Sequence, residues 1–177
     1  MPAPAITPDT IPVPALPIRR PFGLLMVLFA VAALEAFDGL SSVSTLFGDM
    51  SEIPGPGLGG FLIKAHIATH PVLALAALAC AAMGHLRGAI LALAAIIMMT
   101  WLNHMPSVVL HGFDVAGIGA FQTPAEIIAF PLMAACAIAC ALRNQRLALA
   151  TLLVSVPTLF NMMMLVAFAV GVAIYGF

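Results

Sequence analysis

Six side chains able to bind a metal or carry a proton fall in three pairs along this chain. Glu35 and Asp38 are three residues apart, His66 and His70 four apart, and His104 and His111 seven apart. At 100° per residue each pair shares one face of a helix. Carboxylate together with neutral imidazole is the donor chemistry of zinc and non-haem iron. The same groups relay protons where water is scarce. Asn103, Gln122, Glu126 and Asn161 add polar atoms that the spans described below bring to a similar level.

None of these residues forms a fixed signature. His66-Ile67-Ala68-Thr69-His70 lacks the glutamate that serves as general base in the zincin pattern. The Glu-x-x-His repeat of ferritin-like di-iron bundles is missing as well. Gly55, Gly57, Gly59 and Gly60 are followed by no Lys-Ser/Thr pair and make no phosphate loop. Cys80, Cys136 and Cys140 lie inside apolar runs, where a free cysteine usually packs as a small hydrophobe. The methionines, Met98-Met99 and Met162-Met163-Met164 among them, read as adaptable apolar packing; Met105 beside His104 is the exception worth testing.

The elements that must position the pairs follow from composition. Of 177 residues 63% are hydrophobic and only 7% charged, against roughly 25% charged in an ordinary soluble domain. So few charges cannot cover a water-soluble sphere, and six basic residues spread over the chain leave no footprint for nucleic acid. The composition predicts an all-α, polytopic membrane protein of five transmembrane helices, in contact with the lipid bilayer. Residues 1–21 hold seven of the fourteen prolines and form a Pro-rich cytoplasmic arm, extended or polyproline-like, which could dock on a protein partner. Residues 22–177 form the membrane domain, with spans at about 22–40, 62–83, 89–110, 124–142 and 147–175, each near the ~20 residues a bilayer requires. The fifth is long enough to tilt, or to kink at Pro157. No internal repeat is evident.

Basic residues orient the bundle. Arg19 and Arg20 precede the first span, Arg87 follows the second, and Arg143 and Arg146 follow the fourth, so five of the six basic residues fall on one side of a five-helix zigzag, Lys64 being the exception. The positive-inside rule makes that side cytoplasmic, with the N-terminus inside and the C-terminus outside. The expected location is the bacterial inner membrane. At ~1.5 Å per residue Glu35 then lies roughly 20 Å up the first span, near the level of His70, His104 and Asn161. The polar residues collect in the outer leaflet. Glycine-rich loops at 51–60 and 112–123 would lie over them as lids.

Three readings follow. In the leading one the protein is a membrane metalloprotein that oxidises a lipid-soluble small molecule. Glu35, His66, His70 and His104 hold a transition metal, iron as the first guess and zinc or copper as the others. Asp38, His111, Asp114, Glu126 and Asn161 would complete or steady the site. In the second, His70 and His104 clamp a b-type haem or another tetrapyrrole in an electron-transfer subunit. In the third the chain is a non-catalytic subunit or a proton-coupled small transporter that depends on Glu35, and Glu35 bonded to His70 or Asn161 could also be structural glue.

Overall fold

The computed structural model describes residues 22–41, 43–44, 57–113 and 119–176. The Pro-rich arm, Asp49, Glu52, Asp114 and half of the two expected lid loops (51–56 and 114–118) lie outside the described residues. The architecture is all-helical: α1 (Phe22–Ser41), α2 (Leu58–Ala82), α3 (Leu86–His111), α4 (Gly119–Pro124), a π-helical turn (Ala125–Ala129), α5 (Phe130–Leu142) and α6 (Leu147–Tyr175). Counting α4 through α5 as one span, five helices are long and apolar enough to cross a membrane, the mark of an integral membrane protein.

Three spans begin earlier than their hydropathy suggests, the third at Leu86. Helix α2 starts at Leu58 and takes in Gly59 and Gly60, poor helix formers in isolation. Gly59 is needed for packing: a Cβ there would come within 3.3 Å of Pro106 on α3. The fourth span starts at Gly119 and widens into the π turn after Pro124, where the Phe130 amide donates to Ala125 O. Proline also shapes the next residues. Pro131 has no N–H to offer Ile127 O four residues back, and Trp101 Nε1 donates to that carbonyl instead at 3.0 Å. A widened turn next to an aromatic clamp is the kind of irregularity found at functional sites.

Helices α2–α3 and α5–α6 are two copies of one hairpin, which corrects the expectation of no internal repeat. Pro71, Ala74, Ala77, Ala79, Cys80 and Ala81 recur in register as Pro131, Ala134, Ala137, Ala139, Cys140 and Ala141. The turns close alike: His85 N donates to Cys80 O at 2.7 Å and Gln145 N to Cys140 O at 3.0 Å, while Gly84 N and Asn144 N each donate to the alanine three back. Both turns use a left-handed residue, Gly84 and Asn144, and the second inserts one more, Arg146. Beyond that insertion the second helices keep the same register of burial. Ala89, Ile90, Leu93, Ala94, Ile96 and Ile97 correspond to Ala150, Thr151, Val154, Ser155, Pro157 and Thr158, all buried. Few of these second-helix residues are identical. Burial carries the likeness where identity does not.

Helix α1 packs along α2 and α6, and α3 lies between α2 and α5. The shared core is mostly alanine; only Leu28, Ile90, Leu93 and Val154 among its large side chains are wholly enclosed. Small residues let helices approach closely, the source of cohesion where lipid removes any hydrophobic drive. Large apolar side chains such as Phe121, Val109 and Phe168 point outward instead.

Candidate functional site

Glu35 is the hub. Its Oε2 lies 2.9 Å from His70 Nε2, and Oε1 accepts a hydrogen bond from Thr158 Oγ1 at 2.6 Å. Glu35 thereby joins α1 to both neighbours, α2 and α6. Counting 1.5 Å per residue, His70 stands about 18 Å from the Ala82 end of its helix, so the contact lies deep in the span. The other ring nitrogen, His70 Nδ1, is 4.0 Å from Asp38 Oδ2. Carboxylate, imidazole and carboxylate are thus strung in a row. The two ends differ in access, since the Asp38 side chain is 69% exposed and that of Glu35 13%. His66 stacks on His70 with ring centroids 5.3 Å apart.

These residues open on a cavity of about 290 Å³. Its polar lining comes from Glu35 and Asp38 of α1, His66 and His70 of α2, and Thr158 and Asn161 of α6, with Thr100 and Glu126. Apolar side chains line the rest, among them Leu34, Ile96, Ile97, Trp101, Phe130, Met162 and Leu165. Equivalent positions of the two hairpins converge on it. His66 corresponds to Glu126, His70 to Phe130, Ile97 to Thr158 and Thr100 to Asn161, and all eight line the cavity.

The structure therefore brings together three of the four expected metal ligands, Glu35, His66 and His70, with Asp38, Glu126 and Asn161 around the same space. His104 stands apart from the cavity lining. Its Nδ1 faces Glu126 Oε2 at 3.6 Å, and Glu126 Oε1 accepts from Gln122 Nε2 at 2.7 Å. His111 is exposed and turns back on its own helix, Nδ1 lying 3.2 Å from Ser107 O. Asp114 lies outside the described residues. Among the described residues no three His, Cys, Asp or Glu side chains are grouped to hold a metal ion. His70 and His104, the expected haem clamp, are each directed at a carboxylate, Glu35 and Glu126. Thr158 and Trp101 escaped the sequence reading. A threonine in an apolar helix usually bonds its own backbone, as Ser155 does to Thr151 O, so nothing in its sequence setting marked Thr158. Trp101 had a detectable signal: it is the sole tryptophan, one residue beyond Thr100 and within a turn of His104.

No family model, curated protein or solved structure matches this chain.

Proposed function

We propose that this protein is a proton-coupled carrier of a small molecule, with Glu35 as its proton-binding group and the cavity beside it as the place of binding. The observation that supports this reading is the row Asp38–His70–Glu35. An imidazole with one nitrogen toward an exposed carboxylate and the other 2.9 Å from a buried one can pass a proton inward by taking it on one side and releasing it on the other. Thr158 holds the Glu35 carboxylate in place by its second oxygen. In hydrocarbon such groups are costly, face the bundle interior and mark ion or proton pathways. His66, Glu126 and His104 are the other titratable groups near this space.

The metalloprotein and haem readings draw less support, because among the described residues no three His, Cys, Asp or Glu side chains are grouped to hold a metal ion, and His70 and His104 are each directed at a carboxylate. Orientation enters as part of the proposal: the positive-inside rule puts the Asp38 mouth on the outer side of a bacterial inner membrane.

Infrared difference spectroscopy on reconstituted protein tests the proposal. Acidification should raise a carboxylic-acid C=O band that returns to carboxylate at alkaline pH and is missing in Glu35→Gln. Asp38→Asn should slow the exchange without removing the band. A spectrum unchanged by Glu35→Gln would end the reading. Metal analysis of the purified protein bears on the alternative: stoichiometric iron, zinc or copper, lost from both Glu35→Ala and His70→Ala, would restore the metal site.

A further inference from the structure

We infer that the cavity binds a small hydrophobic amine in its protonated form, with the ammonium against Glu35 and Asp38 and the apolar body against Trp101 and Phe130. The inference rests on the reading of Glu35 as a group that gives up its proton, and it names the substrate class.

Charge is the first argument. Among the described residues three carboxylates line the cavity, Glu35, Asp38 and Glu126, and no Lys or Arg does. An anion entering would meet only like charge, whereas a monovalent cation could replace the proton on Glu35, one positive charge in and one out. The second argument is the vacant acceptor capacity. His66 Nδ1 is buried without a hydrogen-bond partner among the described residues, on a side chain stacked over His70. In the tautomer with its proton on Nε2, His66 Nδ1 accepts from an ammonium N–H beside the carboxylates.

Shape makes the third argument. Equivalent positions of the two hairpins carry unlike side chains, Phe130 where the first has His70 and Thr158 where it has Ile97, so polar and apolar groups line one cavity. A cavity of mixed lining selects a ligand with a charged and an apolar part. A cavity of ~150 Å³ holds benzene; the ~290 Å³ here has room for one aromatic ring and a short amine chain. Trp101 gives the cavity an aromatic face for the ring of the ligand to pack on. It is also the sole tryptophan, so its fluorescence reports on this cavity alone.

The experiment titrates the reconstituted full chain with phenethylamine and, separately, with phenethyl alcohol and phenylacetate, reading Trp101 emission. The amine should change the emission saturably, while the alcohol and the acid should bind at least about tenfold more weakly. Glu35→Gln should weaken amine binding by a similar factor. Equal binding of amine and alcohol by the unaltered chain would overturn the proposal without recourse to any variant. A pH indicator in weak buffer reads the proton separately. Amine binding with proton release supports the whole scheme. Binding with no release keeps the cation site and overturns the exchange role of Glu35. A reversible Glu35 band with no amine binding does the opposite and removes this inference alone.

Discussion

At the scale of the residue, Glu35 separates a charge-handling role from a packing one. Glutamine at position 35 keeps an oxygen for Thr158 and a polar group for His70, so Glu35→Gln should shift unfolding by less than about 1 kcal/mol. Alanine leaves His70 and the Thr158 hydroxyl unpaired in the interior, and Glu35→Ala should cost about 1–3 kcal/mol. Thermal unfolding in one detergent measures both. If glutamine is as damaging as alanine, the charge itself holds the fold together, which neutral hydrogen-bonded glue does not require. The sequence made Glu35 and His70 legible as partners because depth arithmetic and helical phase both put them at one level. It could not disclose Thr158, whose role depends on which face of α6 meets α1. Nor could it place His104, since sharing a level is not lining one cavity: the widened turn at Ala125–Ala129 presents Glu126 to His104.

Elements are held in place here by backbone proximity more than by large side chains. Gly39 of α1 is buried, and a Cβ there would stand 3.0 Å from Pro71 Cα and 3.3 Å from its nitrogen. Backbone cannot swing aside as a flexible side chain does. Gly39→Ala should therefore push α1 off α2 beside the Asp38–His70 pair, at a cost of about 1–3 kcal/mol seen as a lower unfolding temperature. A substitution without effect would mean that the two helices slide freely. The turns offer a second case. Arg87 Nε donates to Ala141 O at 2.9 Å and Nη2 to Leu142 O at 3.3 Å, so the first hairpin caps the last carbonyls of α5. Lysine has one point charge and no planar fork, so Arg87→Lys should lose much of what Arg87→Ala loses, again read by thermal unfolding. The spans were legible because lipid demands long apolar runs. The repeat was hidden because lipid accepts any apolar residue, leaving only the buried positions and the turn chemistry to keep the pattern.

At the scale of the whole molecule, the question is which end of the bundle faces the cytoplasm. The bonds from Arg87 to Ala141 and Leu142 bring the two hairpin turns to one end, which gathers Arg87, Arg143 and Arg146 there. Positively charged loops this short resist translocation, so that end should stay inside. A reporter fused after Phe177 should then be active outside the cytoplasm, and one inserted within Gly84–Gly88 active inside. The outcome decides more than topology. Asp38 is the exposed end of the carboxylate–imidazole row and lies near the end of α1 away from those turns. With the turns inside, protons and amines reach the cavity from the outer side. Activity of the Gly84–Gly88 fusion outside would reverse that direction and make Asp38 a cytoplasmic entry. Fluorescence quenching of Trp101 by an impermeant amine, added to sealed vesicles of known orientation, then checks the same assignment from the ligand's side.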